Sequence, residues 1–405
     1  MIKNNSLPGD LKNYKVTIDG KDITSFVTYT YIFQELLAPS WTTQLFIEDT
    51  NNLLTEVPIK QGSKIEIEVE TEFKVDSDDK KTYKFIVSKI SDRKFVNAKH
   101  YTYTLHGITE EALKERGTRI SHAYQNKAPT DIIKSIVEDY LKAKMDKVDK
   151  CDNTITHVIN NVTPFTAAAQ MSKIGVVEKS ADLLFYQSDE GKYSIRSLEK
   201  LYSDENANIT FKLKPSHIRD DKGNIGEDMT LAINKHDWKH YDVMENANAG
   251  MMANKTVSYD YMTKEWSEKV FKYGDDNSKD ANNKQWDDTE NFENEDINIT
   301  FRAKHTGIHE DDTLFDSQSD WAGSRKSSLM KLEQDKLLIQ CSYGAKCWSY
   351  LGKSCEIEIP VNQDKDEPYD NLSGKFLIIA VCHVLSSKAS FSNYELIKKR
   401  LTKKN

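Results

Sequence analysis

A chain of 405 residues, 38% hydrophobic and 30% charged, is long enough for two to four domains and can bury a core beneath a charged surface. Its formal charge of −8 argues against a general nucleic-acid binder, which needs a basic face to displace counterions from phosphates. No run approaches the roughly 20 apolar residues of a membrane helix, and Met1 to Asp10 carries no hydrophobic signal region.

In chain order, Tyr14 to Ile18 alternates and meets an Asp19-Gly20 turn, a strong hairpin signal. Trp41 to Ile47, Lys64 to Val69, Tyr83 to Ile90 and His100 to Leu105 alternate too, with a charged turn at Asp76 to Lys81. Period two means one face in a core and one face wet, as in an antiparallel sheet or small barrel. Pro129 then opens a helix with Ile132, Ile133, Ile136, Val137, Tyr140 and Leu141 on one stripe. A second helix starts at Pro164, and a hairpin follows from Leu183 to Leu198 through Asp189-Glu190-Gly191.

Strand character returns at Thr210 to Leu213, Met229 to Ile233 and Thr256 to Tyr261. The acidic tract 274–296 cannot bury enough apolar surface to offset its ordering entropy and reads as a surface loop. Ser327 to Leu338 reads as a short helix with two strand pairs after it. The expected fold is α+β, with two antiparallel β-barrels of tube type, an α/β module and an insertion. The boundaries are 10–118 for the first barrel, 119–203 for the module, 204–245 with 319–401 for the second barrel, and 246–318 for the insertion.

The two barrels are a quasi-repeat. QGSKIEIEVE around Gly62 matches LGKSCEIEIP around Gly352, and KFIVSKIS from Lys84 matches KFLIIAVC from Lys375. Gly62 and Gly352 are 290 residues apart; Phe85 and Phe376, Tyr103 and Tyr394, and Leu105 and Leu396 are each 291 apart. A subunit with two like units lets three subunits present six, so that a threefold object can mate with a sixfold one.

The candidate chemistry is thin. His236-Asp237-Trp238-Lys239-His240 resembles a zinc motif, but that motif needs a helix and this neighbourhood is strand-like, so no metal and no cofactor is expected. Glu110-Glu111 and Asp311-Asp312 are doublets that 64 acidic residues produce by chance. Cys151, Cys341, Cys347, Cys355 and Cys382 form no C-x-x-C pair, so they read as reduced packing residues in a chain made in a cytoplasm. Cys341 and Cys347 with His383 could form a thiol site, but packing fits their strand context better. Arg116, Arg119 and His122 fall at the junction of first barrel and module, placed to clamp domains, dock on an acidic patch or face solvent. Glu66 and Glu68, with Glu356 and Glu358 in the repeat, share a face opposite the apolar residues. That face either lines a lumen, meets a tube, or is a solvated exterior.

The segments VTIDGKDITSFV (Val16 to Val27), GSKIEIEV, FIVSKISDRKF and LKERGTRISHAY (Leu113 to Tyr124) come in a set order. PTDIIKSIVEDYL, NVTPFTAAAQMSKIG, LLFYQSDEGKYSIRSL, NAGMMANKTVSYDYMTKEW and GKFLIIAVCHVLSSKASFSNYEL follow. In that order and spacing the chain resembles the central hub proteins of contractile phage baseplates and the hub portion of type VI secretion spikes. The resemblance implies a structural, non-enzymatic homotrimer in the virion's tail baseplate, made in the host cytoplasm. It would join the tail tube, or a tube-initiator protein, to a spike, contact baseplate wedge proteins, and pass DNA through its lumen without specific binding. No spike-type domain follows before Asn405, so the spike is expected to be a separate polypeptide. A tail-associated hydrolase and a distal tail or adsorption protein are the alternatives.

Overall fold

The computed structural model describes residues 9–398 except 52, 54–56, 72–79, 98–99, 179, 204–208, 214–230, 240–242, 273–297, 305–320, 333–335, 345–347, 349, 363–364, 369–372 and 388–389. The acidic tract, most of the Asp76 turn, Met229, His240, Asp311-Asp312 and Cys347 lie outside the described residues.

The N-terminal strands are β1 (Leu11–Ile18), β2 (Lys21–Asp22), β3 (Val27–Glu35), β4 (Thr42–Asp49), β5 (Lys64–Thr71), β6 (Lys80–Asn97) and β7 (His100–Ile108). They lie in the order β3-β4-β7-β6-β5-β1-β2, antiparallel throughout. Asp19 and Gly20 take φ of 50° and 81°, the left-handed conformation of a tight two-residue turn, and β1 and β2 pair across them. Alternation decides the faces. Ile65, Ile67 and Val69 of β5 are buried with Val16, Leu45 and Phe85, and each contributes about 1.5–3 kcal/mol when withdrawn from water.

Residues β8 (Ile120–Lys127), β9 (Lys144–Val148), β10 (Ile155–Val162), β11 (Leu183–Asp189) and β12 (Lys192–Ser197) surround two helices, Pro129–Ile136 and Pro164–Ser172. Both helices carry Pro in the first turn, where no N–H is needed. Ile132, Ile133, Ile136, Val137 and Leu141 are all fully buried, the stripe their spacing predicts. The β11–β12 hairpin docks on the first sheet through Trp41. Its backbone N–H donates to Gln187 Oε1 at 3.0 Å, and its indole N–H donates to the Gln187 carbonyl at 2.9 Å.

The remaining strands are β13 (Thr210–Leu213), β14 (Ala232–Lys239), β15 (Ala253–Asp260), β16 (Glu265–Lys272), β17 (Ile299–Lys304), β18 (Lys336–Ser342), β19 (Ser354–Glu358), β20 (Pro360–Asn362), β21 (Lys365–Pro368), β22 (Gly374–Leu385) and β23 (Phe391–Lys398). Strands β15–β17 form their own sheet. The helix expected at Ser327 to Leu338 spans Ala322–Lys331 instead, since Leu337 and Leu338 already alternate within β18.

Two expectations need correction. The order β19-β13-β14-β18-β23-β22, closed by β19–β22, is a six-stranded barrel, but it is mixed: β13 runs parallel to both β14 and β19. Parallel neighbours need a crossover of a dozen or more residues, and the chain from Leu213 to Ala232 has that length. The N-terminal sheet is not closed by a ladder of its own among the described residues. Among the described residues no ladder joins β1 to β3; they meet through the Tyr14 hydroxyl and Thr30 Oγ1 at 2.8 Å. Strand β3 pairs instead with β22, which makes one sheet of thirteen strands.

The repeat is visible in the ladders. In chain order β1, β3, β4, β5, β6 and β7 correspond to β13, β14, β18, β19, β22 and β23, in the same lateral order. The halves differ in that β13 pairs with β14 where, among the described residues, no ladder joins β1 to β3, and in that β13 is parallel to β19 where β1 is antiparallel to β5. Glu66 faces Lys84 as Glu356 faces Lys375. Phe85 faces Ile65 as Phe376 faces Cys355. β-Bulges fall at Val87/Lys89 and Ile378/Ala380, and again at Val27/Tyr29 and Ile233/Lys235. The last strand departs from the sequence offset. Leu105 lies opposite Ile90, while Tyr394, not Leu396, lies opposite Val381. The slip is two residues, an even number, so both strands keep the same residues in the core.

Candidate assembly surfaces

Glu66, Glu68 and Glu70 are half-exposed on the face of β5 opposite its buried residues; on β19, Glu356 is exposed and Glu358 half-exposed. The neighbouring strands bring lysines that the single-strand pattern did not show. Lys84 faces Glu66, Lys15 faces Glu68, and Lys80 faces Glu70 and lies 3.7 Å from Glu68. Lys212 pairs with Glu358 at 2.8 Å, and Lys375 faces Glu356. The surface is therefore a lattice of alternating sign. Exposed pairs of this kind are worth about 0–1 kcal/mol each.

Arg116 and Arg119 flank the C-terminal end of the Glu110–Gly117 helix, and both are exposed with His122. His122 stacks obliquely on Tyr124, with ring centroids 4.5 Å apart. Glu110 is held by Lys114 at 3.0 Å, one turn on. His236 and Asp237 lie on the extended strand β14, not on the helix that would bring histidines four positions apart to one ion, and His240 falls outside the described residues. Among the described residues no cluster of three metal-ligating side chains occurs. Cys341 and Cys355 are buried in the barrel core.

The feature that sequence reasoning missed is the seam between the halves. Six consecutive pairs, Ala380 with Glu35 through Leu385 with Thr30, join β22 to β3. His383 sits in this ladder, fully buried, with Nδ1 2.8 Å from Ser392 Oγ. Burial pushes its pKa down to about 3, which keeps the ring neutral. A groove of about 570 Å³ runs over the same seam, walled by Phe33, Glu35, Cys382 and Asn393 with Gln340 and Asp237. Val27 to Glu35 is not among the strands expected from alternation, and nothing in β22 names it as a partner.

The sequence matches no family model and no curated protein. Among solved structures, a tail protein from Neisseria meningitidis aligns over 96% of this chain and 98% of its own, at 12% identity and a TM-score of 0.56. The 43 kDa tail protein of prophage MuSo2 from Shewanella oneidensis covers 95% and 98%, at 11% identity and 0.57. A type VI secretion component of E. coli, described as similar to bacteriophage tail proteins, aligns over 98% of this chain and 79% of its own at 8% and 0.47, too slight a likeness to add weight. The fold is thus that of phage tail proteins, end to end. The resemblance drawn from the sequence holds at the level of a phage tail protein fold.

Proposed function

We propose that this chain is a structural subunit of a phage-type tail, a baseplate hub that assembles as a homotrimeric ring between the tail tube and a separate spike. One observation carries the reading: a duplicated six-stranded unit whose halves are joined edge to edge by a continuous ladder. Two like units per subunit give six around a threefold axis, which suits a junction between sixfold and threefold objects. The division into two barrel-type domains, module and insertion belongs to the same reading, as do contacts with tube-initiator and wedge proteins and unspecific passage of DNA. The work is done by interface geometry and no bond is made or broken.

Sedimentation equilibrium of the purified chain tests it. The expected mass is three times the 46.5 kDa of the subunit, alone or with a co-expressed spike. A chain that stays monomeric at micromolar concentration under both conditions overturns the proposal.

A further inference from the structure

The seam within the chain has a counterpart that the chain cannot make with itself. In the repeat, β3 corresponds to β14 and β22 to β6. The bulges set the register of that correspondence: Tyr29 with Lys235, and Lys89 with Ala380. Strand β22 uses one edge for β23; its other edge pairs first with β19 and then, from Ala380 on, with β3. Strand β6 likewise gives one edge to β7 and begins its other edge against β5, from Lys80 to Ile86. Among the described residues the rest of that edge, from Lys89 to Lys94, carries no ladder. Strand β14 pairs with β13 only at Ala232 and Ile233, and among the described residues its edge from Lys235 to Lys239 carries none either.

We infer that this edge of β14 pairs antiparallel with the Lys89–Lys94 edge of β6 in a second copy of the chain, repeating between subunits the ladder that β3 and β22 make within one. The inference rests on the ring proposed above and names its contact. It joins two different surfaces, so copies add head to tail and the assembly ends when rotation closes it. Main-chain hydrogen bonds of an exposed strand edge supply the attraction. The internal pair Cys382–Phe33 maps onto Ser91–Lys239. Beyond Ser91, β6 has a further bulge, with Asp92 at φ 56°, that β22 lacks, so the register is carried no further. Asp92 and Arg93 on one edge, and Lys239 and Asp237 on the other, bring opposite signs to that stretch.

Cysteine cross-linking of the full chain is the test. Phe33→Cys, paired with native Cys382, should close within one chain and gives the control for the geometry. Ser91→Cys with Lys239→Cys should give covalent dimers and trimers and nothing larger, while each single variant gives only the wild-type pattern. Ser91 is half-exposed and Lys239 exposed, so both changes leave the core intact. An oligomer by sedimentation whose 91–239 pair does not cross-link overturns the β14–β6 contact and leaves the hub reading standing. A monomer by sedimentation overturns both.

Discussion

Tyr83 and Tyr343, 260 positions apart, meet hydroxyl to hydroxyl at 3.2 Å, and each is 1% exposed. One belongs to β6 and the other follows β18, so the contact ties the two halves of the repeat beneath the seam. His383 lies beside both, its ring edge-on to Tyr343 with centroids 5.3 Å apart and 6.3 Å from Tyr83. Its Nε2 is buried and meets no partner among the described residues. A protonated imidazole there would be a buried charge whose second N–H meets no acceptor among the described residues.

Acid should therefore loosen the seam. An unfolded histidine titrates near pH 6.5, while the folded His383 resists protonation down to about 3. The unfolded chain then binds the extra proton first. Stability is full above about pH 6.5 and declines as pH falls from there toward the folded value. The slope is roughly 1.4 kcal/mol per pH unit for one such group. Unfolding free energies from urea titrations at pH 7.5 and 5 should differ by about 2 kcal/mol in the native chain and by less in His383→Gln. An equal loss in both would assign the acid sensitivity elsewhere.

What could be read from the sequence was whatever lies along one element. Ile65-Glu66-Ile67-Glu68-Val69 shows its buried and wet faces by alternation alone, and the Pro129 helix shows its stripe. The repeat was legible where glycines, turns and aromatics recur at offsets of 290 and 291. Relations across elements were not. The four residues of β13 carry no sign that their neighbours are parallel. Thr30 to Glu35 alternates whether its edge is free or paired with Ala380 to Leu385. The same limit hid Lys84 and Lys375 from a reading of the carboxylate strands, and hid the exposed aromatic face of Trp266 (64%) and Phe301 (70%), which alternates like a buried one.

The two repeat glycines should differ in their tolerance of a side chain. Gly62 and Gly352 take φ of 93° and 72°, and each N–H donates to the bulged strand, to Val87 at 2.8 Å and Ile378 at 3.0 Å. Gly62→Ala meets open space and costs about 1–2 kcal/mol for the left-handed backbone alone. In Gly352→Ala the new methyl would stand 2.9 Å from the hydroxyl of buried Tyr186 and 3.3 Å from Leu36. That crowding adds roughly 1–3 kcal/mol. Denaturant unfolding of both variants checks the order, and equal losses would show that Tyr186 yields freely.

Arg325 should prove a structural cation. Its guanidinium donates to the carbonyl of Ser172 at 2.7 Å and to that of Ala181 at 3.3 Å. Burial pulls its pKa down, and the Asp182 carboxylate opposes that pull. The bonds fasten the Ala322–Lys331 helix to the end of the Pro164–Ser172 helix. Hydrogen bonds to a charged group are worth about 1.5–3 kcal/mol each, so Arg325→Met should lose on the order of 3 kcal/mol. Arg325→Lys should recover part of it, because an ammonium lacks the planar fork. Thermal unfolding would settle the matter, and an unchanged midpoint in the Met variant would show the contact to be idle.

The carboxylate faces permit a decisive charge reversal. Double-stranded DNA is a dense polyanion, and a basic wall would retain it with strong, salt-dependent affinity. If the chain is the hub proposed above and this face lines its lumen, the wall should be neutral or acidic, and the lattice of Glu66, Glu68, Glu356 and Glu358 with Lys15, Lys84, Lys212 and Lys375 is near balance. Glu66→Lys with Glu356→Lys tips it. Each new lysine stands opposite an existing one, Lys84 or Lys375, so like charges adjoin in both repeats. These side chains lie at the surface, so folding should change by less than about 1 kcal/mol per site and the oligomer should persist. The expected defect is functional: impaired genome ejection or tube attachment, with subunit assembly intact by sedimentation. Normal infectivity of the double variant would show that these carboxylates serve solubility and that the conduit is lined by another face.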